Sequence, residues 1–407
     1  WVRAAAITLA PVIGVVGFLA TWQALVAIFD IERFVLPAPW DILTHIADDP
    51  GFYLRNARTT AWEAFLGFMI AALAATAITL SYSAECEPGT RAEPRDDGFT
   101  AVTYRCYGSP DILEFATLDK PEPAGSEILV RVRTAAVNPL DWHYMRGEPY
   151  FMRLGTGIGA PENERLGADF AGVVEAVGPA VTRFSPGDRV FGGAKGAFAE
   201  YVLVSEDRAI AAIPDGVSFD HAAALPIAAI TALQALRDKG RVKPGDKVLI
   251  NGASGGVGTF AVQIAKSMGA EVHGVCSTRN VELVESLGAA RVFDYRSEDY
   301  TESEEQYDVI IDMVGNHSVG RNQRVLKPDG RLVIVGGPKG NWIAPLIRPL
   351  GALFRSLFSS QELSVILAEL HTTDLEVLAG LVATGEVRLV LDHSFPLDEA
   401  ADAIRYS

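Results

Sequence analysis

The stretch Lys247-Val-Leu-Ile-Asn-Gly-Ala-Ser-Gly-Gly-Val-Gly258 decides how this chain is read. Val248, Leu249 and Ile250 form a short continuous apolar run, as in a strand buried on both faces. A glycine-rich loop follows, and from Gly256 to Met268 the apolar residues recur at helical spacing. In such a unit the glycines let the backbone approach a pyrophosphate. The helix then offers free N–H groups and the positive end of its dipole. Gly252, Ala253, Ser254, Gly255, Gly256, Val257 and Gly258 are therefore candidate cofactor-binding residues. The pattern alone is weak, because Ala253 stands where G-x-G-x-x-G has its first glycine; the strand and helix around it strengthen it.

The same loop also matches the nucleophile elbow G-x-S-x-G at Gly252, Ser254 and Gly256. A hydrolase would then need an acid and a histidine downstream, such as Asp374 and His393. No HGGG-type sequence precedes the loop, and a β-rich stretch ahead of it fits a hydrolase poorly. A purely structural turn is the third reading. The dinucleotide site is the preferred one.

Outward from the loop, strands and helices alternate from about Thr231. Glu271 to Cys276, Asp308 to Asp312 and Arg331 to Gly336 read as further strands, and Val281 to Leu287 as a short helix. Repeated βα units with apolar strands predict a doubly wound parallel sheet. Cofactor choice is set about 20 residues after the glycine loop, where an acid selects NAD and Arg accommodates a 2′-phosphate. Here Val275-Cys-Ser-Thr-Arg-Asn280 carries no carboxylate. Ser277, Thr278 and Arg279 point to NADP(H). Upstream, from Phe99, short alternating segments such as Ile128–Thr134 and Gly172–Val177 predict a compact β-rich domain.

The first 97 residues have another character. No lysine precedes Lys120; 26 uncharged residues lie between Arg3 and Asp30, and 21 between Glu63 and Glu85. Roughly 20 apolar residues cross a bilayer as a helix. Two spans, at 4–29 and 64–84, are expected, with Trp1, Trp22, Trp40 and Trp62 near their ends. Arginines balance across the loop and flanks, so charge leaves topology open. Residues 85–97 read as a linker.

The chain of 407 residues carries 35 Lys plus Arg against 51 Asp plus Glu, a net charge of −16. That composition argues against nucleic-acid binding. Cys86, Cys106 and Cys276 lack the close spacing of a disulfide framework or a Cys-rich zinc site, and reduced thiols are expected.

Taken as a set, Gly252–Gly258, Pro186-Gly-Asp-Arg-Val190, Ala224-Leu-Pro226, Thr231-Ala-Leu-Gln-Ala-Leu236 and Asn138-Pro-Leu-Asp141 resemble the zinc-independent medium-chain dehydrogenase/reductases. The nearest branch is the quinone oxidoreductase, zeta-crystallin-like one. The resemblance covers about 99–407. It implies a GroES-like catalytic domain at 98–230, a Rossmann domain at 231–365, and a return to the first domain at 366–407 that stops short of a last strand. Asn138 stands where zinc-dependent members carry Cys, and Ala168-Asp169 where they carry His-Glu; no metal site is expected. Asn138, Asp141, His143 and Tyr144 match the family's catalytic region. Asn138 would orient substrate or nicotinamide, and His143 or Tyr144 would donate a proton. A cap or turn is an equal reading for Asp141. Tyr295 matches an adenosine-side contact, while Gly315, Asn316, Gly336 and Gly337 would line the nicotinamide half.

Phe34-Val-Leu-Pro-Ala-Pro-Trp-Asp41, Arg58-Thr-Thr60 and Gly67-Phe68 resemble part of an ABC-importer permease of the nitrate/sulfonate/taurine type. Two spans cannot enclose a transport pathway, so a permease remnant is expected. A start at Trp1 fits a fragment or a join of two reading frames. Ile343, Leu346, Ile347, Leu350, Leu353, Phe354, Leu357 and Phe358 recur at helical spacing, with Arg348 and Arg355 off that stripe. Such a helix serves as a lid, as a subunit interface giving a homodimer, or as a membrane-surface element. The expectation is thus an NADPH-dependent, zinc-independent reductase of small hydrophobic quinones or α,β-unsaturated carbonyls. It is anchored to a membrane with its catalytic part in the cytoplasm, or cytoplasmic if the first segment is not inserted. A non-catalytic NADPH-binding, membrane-associated scaffold is the alternative.

Overall fold

The structure, a computed structural model, describes residues 16–28, 39–85, 98–337, 340–341, 344–356 and 359–407. The chain divides into two compact units, Trp1–Ile78 and Thr79–Ser407. In the first are the helices α1 (Val16–Ile28), α2 (Pro39–Asp48) and most of α3 (Pro50–Ser81). Leu54–Ser81 is 28 residues long and apolar, with none of its apolar window buried. At 1.5 Å per residue it reaches about 42 Å, more than the ~30 Å of a hydrocarbon core.

The expectation of two spans needs correcting here. The second begins earlier than 64, with Glu63 inside the helix. The first is described only from Val16, and that part, Val16–Ile28, is a shorter apolar helix. Among the described residues, one helix is long and apolar enough to cross a membrane, by length and composition. Most of the expected linker, from residue 86, lies outside the described residues.

In the second unit the strands are β1 (Gly98–Thr103), β2 (Glu114–Asp119) and β3 (Glu127–Ala136), followed by helix α4 (Pro139–Arg146) and the short α5 (Arg153–Thr156). Then come β4 (Asp169–Val177), β5 (Arg189–Gly193), β6 (Tyr201–Ser205), β7 (Ile210–Ala212), α6 (Phe219–Ala223) and α7 (Pro226–Gln234). Strand β8 (Lys247–Asn251) opens the run of βα units, with α8 (Gly256–Ser267), β9 (Glu271–Cys276), α9 (Val281–Ser286), β10 (Arg291–Asp294), β11 (Tyr307–Asp312), α10 (Val319–Arg324) and β12 (Leu326–Ile334). The chain continues through α11 (Ala344–Ser356), β13 (Glu362–Val365), α12 (Thr372–Ala383) and α13 (Ala400–Tyr406).

Strands β1 and β2 pair antiparallel. An antiparallel sheet of order β6-β3-β4-β5-β7 surrounds a core of Ile128, Val130, Phe170, Val190, Val202 and Ile210. The second sheet, of order β10-β9-β8-β11-β12-β13, has only parallel pairs. Its strands bury both faces. Val248 and Ile250 of β8 enter one core with Ile230, Ala261 and Ile264, while Leu249 enters another with Ile310, Leu332 and Leu363. That order reverses between β8 and β11, the topological switch point where open α/β sheets bind ligands. The first core also takes in Ala171 and Phe191 of the antiparallel sheet and Leu375 and Leu378 of α12, so one apolar body joins the two sheets.

Two local expectations change. Cys106 is disulfide-bonded rather than reduced, and Cys276 is free and buried, its thiol pushed up to about 11 by burial. In α11 the buried residues include Arg348 and Ala352, while Leu350 and Leu353 are exposed. Arg348 is therefore an inward residue. The predicted solvent-facing basic face loses one of its two arginines, which weakens the membrane-surface reading. Ile343, Leu357 and Phe358, and the side chains of Leu346, Ile347 and Phe354, lie outside the described residues.

Buried Arg153 holds the segment after α3 onto this unit. Its Nη1 donates to the carbonyls of Leu80 (3.0 Å) and Tyr82 (2.6 Å), Nε to Gly147 (2.9 Å) and Nη2 to Arg146 (3.1 Å). The rings of Tyr107 and Tyr150 lie 4.4 and 4.7 Å from the guanidinium. Four carbonyls accept from this side chain, two of them, Leu80 and Arg146, in the last turns of α3 and α4, where helical carbonyls run out of intrahelical donors. Replacing it by Met should cost roughly 3 kcal/mol, from orphaned acceptors at about 1–3 kcal/mol each less relaxation. A lower midpoint of thermal unfolding is the readout, and Lys, with no planar fork, should restore little of it.

Candidate active site and cofactor cleft

The glycine loop forms because its backbone is bound to the neighbouring strand. The N–H groups of Gly252 and Ala253 both donate to the carbonyl of Val275, at 3.1 and 3.0 Å. Gly252 adopts φ +93°, open to glycine and strained for other residues. A Cβ on Gly258 would lie 2.1 Å from the Gly252 carbonyl oxygen, so only glycine lets α8 sit this close to β8. Helix α8 starts after Gly255 with no side-chain cap. Its first turn thus keeps N–H groups for an anion, and a Cβ on Gly256 would meet nothing within 4 Å. These residues fit a pyrophosphate.

The hydrolase reading does not survive. Ser254 accepts a hydrogen bond from Asn280 Nδ2 (3.0 Å) and touches neither proposed partner. Asp374 is buried between Arg237 (2.6 Å) and Gln234 (2.8 Å), while His393 is exposed beside Asp392. A triad needs all three within hydrogen-bond reach.

At the end of β9 the three candidate cofactor residues part company. Ser277 is nearly buried, and its proton is free to donate, since Asn280 Nδ2 approaches it as a donor (3.4 Å). Thr278 donates its hydroxyl to Asp294 Oδ2 (2.6 Å), whose carboxyl that bond holds low. Thr278 has therefore spent its only donor, and a 2′-phosphate would look to Ser277 and Arg279. Tyr295 is exposed at the end of β10, its N–H bonded to the Cys276 carbonyl (3.1 Å), which places it on the same rim.

The switch point carries a network that the sequence did not disclose. Asp312, fully buried at the end of β11, stands in register with Asn251 at the end of β8. Its Oδ1 accepts from Asn251 Nδ2 (2.9 Å) and from the N–H groups of Val314 (3.1 Å) and Gly315 (2.9 Å). Its Oδ2 accepts from Asn322 Nδ2 (3.1 Å) and from Arg348 Nη2. Asn251 also donates to Asn316 Oδ1 (2.8 Å), and Tyr300 donates to Asn322 Oδ1 (2.6 Å). Gly315 has φ +71°, and a Cβ on Gly336 would lie 2.1 Å from the Met313 carbonyl oxygen. Gly315 and Gly337 also meet, a Cβ on the former falling 3.0 Å from the latter's Cα. Gly315, Asn316, Gly336 and Gly337 thus form one backbone surface. The one sequence signal for Asp312 was a carboxylate directly after the apolar run Val309-Ile-Ile311.

On the antiparallel sheet, register sets Ala136 opposite Asp169, which brings Asn138 to that carboxylate. Asn138 Nδ2 donates to Asp169 Oδ2 (3.0 Å), which also accepts from Ile227 N in the first turn of α7 (3.0 Å). Asp141 is fully buried at the third position of α4, and its Oδ2 accepts from the Asn138 N–H (2.8 Å). It caps its own helix. Burial pushes its carboxyl up to about 7, against hydrogen bonds from Asn138 and Gly167. Burial also raises the Asp169 carboxyl well above its usual range, with the Asp141 charge adding to it. The Oδ1 atoms of both are buried without a partner. His143 Nδ1 lies 2.6 Å from the Glu148 carbonyl oxygen, to which it donates. A neutral ring then presents Nε2 as an acceptor. Tyr144 is half-buried in the core of Tyr104, Met145 and Leu166.

An antiparallel β domain beside a doubly wound sheet with a glycine loop at its first βα turn defines a two-sheet nucleotide-dependent oxidoreductase. Residues 124–215 match the family model described as an alcohol dehydrogenase GroES-like domain, and 287–407 the one described as a zinc-binding dehydrogenase. A chloroplast envelope quinone oxidoreductase homolog of Arabidopsis thaliana is 32% identical over 322 residues, 74% of this chain and 93% of that one. The quinone oxidoreductase of Coxiella burnetii superposes with a TM-score of 0.67 at 31% identity, over 76% of this chain and 95% of the other. That of Escherichia coli, solved with NADPH, gives 0.64 at 27% identity, over 75% and 95%. The chain belongs to the medium-chain dehydrogenase/reductase family.

Two outcomes check this geometry. Gly258→Ala should weaken NADPH binding at least 100-fold in a fluorescence titration, because the clash is with backbone and separates α8 from the loop. Asp141 has a folded pKa raised above its unfolded value, so the folded protein binds the extra proton. Stability should be highest below about pH 4 as far as this group acts, and should fall as pH rises to about 7. A shift of this size is worth on the order of 4 kcal/mol. Asp141→Asn, which keeps an acceptor for Asn138, should flatten the thermal midpoint between pH 5 and pH 8.

Proposed function

We propose that this chain reduces quinones or α,β-unsaturated carbonyls by hydride transfer from NADPH, without zinc. The observation that carries the reading is the switch-point crevice. A helix N-terminus without a side-chain cap, the Ser277–Arg279 rim and the Gly315–Gly337 surface lie along the carboxyl ends of one parallel sheet. The E. coli relative solved with NADPH supports the cofactor. When bound, NADPH supplies a hydride, two electrons that join the substrate's electrophilic carbon. The substrate's own conjugated carbonyl delocalises the resulting charge, so orientation and a proton donor suffice. The proton completes the hydroquinone or the saturated ketone. Asn138, held on Asp169, orients the ligand. Tyr144 is the better proton donor, because its hydroxyl carries a proton while the His143 Nδ1 proton is hydrogen-bonded to the Glu148 carbonyl.

Zinc independence is supported by residue type. Asn138 occupies the position of a metal-binding cysteine, and Asp169 is committed to Asn138 and Ile227. Cys276 is buried and held as a thiol, whereas zinc takes thiolates. The length and apolar character of Leu54–Ser81 support a membrane anchor, with the cofactor requirement placing the catalytic part in the cytoplasm. The exposed Leu350 and Leu353 support α11 as a lid or a homodimer contact.

The test is oxidation of NADPH by the purified full chain with 1,4-benzoquinone and then an enone, with NADH as control. Turnover should be faster with NADPH, and Ser277→Ala with Arg279→Ala should lower kcat/KM for NADPH roughly 100-fold against less than threefold for NADH. NADPH binding without turnover would favour the scaffold. Equal losses for both cofactors would remove Ser277 and Arg279 from a 2′-phosphate role.

A further inference from the structure

Arg348 is an odd residue to find in the interior. Its side chain is 8% exposed, and it pairs with Asp312, which is fully buried. Nε and Nη1 are buried with no hydrogen-bond partner. The pair was invisible in sequence, where 36 residues separate the two. Its position decides what it can do. Nη1 would lie 3.2 Å from a Cβ on Gly315, and Gly337 Cα would lie 3.0 Å from the same point. The guanidinium thus packs directly behind the place where the loops after β11 and β12 touch. Through Nη2 it also fixes the carboxylate whose other oxygen holds the N–H groups of Val314 and Gly315.

We propose that Arg348 is a positioning residue for hydride transfer. It fixes the Gly315–Gly337 surface through Asp312 and by contact, and so sets the depth and tilt of the ring that lies against that surface. The inference rests on the reading above that this surface borders the nicotinamide half of the cleft. Two physical points favour positioning over direct contact with ligand. Both unpartnered nitrogens are sealed from solvent, so neither lines the cleft. The cation is also the charge partner of Asp312, which otherwise has amide and backbone donors only. With that cation removed, the buried carboxylate is no longer balanced, and the loop it organises is free to shift. Hydride transfer is sensitive to such a shift, because reacting atoms must approach to about 3–3.5 Å. Arg355, on the same helix but exposed, has no part in this.

The experiment compares Arg348→Lys, Arg348→Met and the double variant Arg348→Met/Asp312→Asn in the full chain. NADPH and (4-2H)NADPH are the donors and 1,4-benzoquinone the acceptor. Arg348→Met should lower kcat 10- to 100-fold with quinone KM within twofold, and should raise the primary deuterium isotope effect on kcat. Lys, which keeps the charge, should recover most of the rate. The double variant removes both charges, so it separates positioning from simple instability: a wild-type thermal midpoint with kcat still depressed supports the proposal. Wild-type kcat and isotope effect in a folded Arg348→Met or in the double variant would overturn it. So would a rate loss in Met that Lys does not recover while the midpoint is unchanged. A wild-type chain that binds NADPH but turns over no quinone or enone would instead sink the reductase reading, and is seen before any variant is made.

Discussion

The hydrogen bonds that converge on Asp312 constrain everything else at the cleft. Two parallel strands, β8 and β11, run side by side and their helices depart to opposite faces, which leaves a crevice at their carboxyl ends. Backbone groups there have lost their ladder partners. Asp312 supplies two oxygens where five donors need acceptors: the amides of Asn251 and Asn322, the guanidinium of Arg348, and the N–H groups of Val314 and Gly315. The loop after β11 takes its course from that carboxylate, and Gly315 takes its positive φ from that course. Gly336 and Gly337 then fit against the loop because neither carries a side chain. The cleft floor is thus backbone, set by one buried anion.

A second carboxylate does comparable work in the antiparallel sheet by different means. Asp169 begins β4, receives the side chain of Asn138, and receives the N–H of Ile227 at the start of α7. Helix α7 packs in the same core as α8, with Ile230 and Leu233 alongside Ala261 and Ile264. The contact chain therefore runs from Asn138, through Asp169 and α7, to α8 and its uncapped N-terminus. Proline at the first position of α7 leaves the Ile227 N–H as an orphan donor. The carboxylate satisfies it.

Much of this was legible in residues 247–258, because the glycine loop has a local cause. Gly252 needs its left-handed φ and Gly258 its close approach, and both needs are written at single positions. The alternation of apolar strands with helical periodicity likewise carried the doubly wound sheet. What stayed hidden was non-local. The pairing of Asp312 with Arg348 crosses two elements, and the helical spacing around 343–358 suggested the opposite orientation, with arginine outward. Periodicity reports that a helix has two faces; here Leu350 and Leu353 are exposed and Arg348 is inside, paired with the Asp312 carboxylate at the end of β11. The elbow pattern at Ser254, the lesser reading of the loop, fails for a related reason: a motif gives a turn, while a triad requires partners that only the tertiary structure can bring. Thr278 shows the limit at finer grain, since a hydroxyl of the right type in the right place already donates its hydrogen bond to Asp294. The first apolar run and Cys106 were read from composition and spacing, which state neither helix length nor pairing.

Set side by side, Asp312 and the pair Asp141 and Asp169 are buried carboxyl groups with different partners. Asp312 accepts from five donors, one of them the Arg348 cation, so a buried charge there is balanced. Asp141 and Asp169 share a buried region with no cation hydrogen-bonded to either, and burial raises both carboxyls. Both donors to Asp169 approach Oδ2, and its Oδ1 is buried without a partner. A charged pair there would repel and would have to be desolvated; a protonated one does neither. The division matches the chemistry. Hydride transfer asks for fixed distances, and the Gly315–Gly337 surface is built on an ion pair. Protonation of a product asks for groups whose charge can change, and around Asn138 burial holds the carboxyls of Asp141 and Asp169 above their usual range.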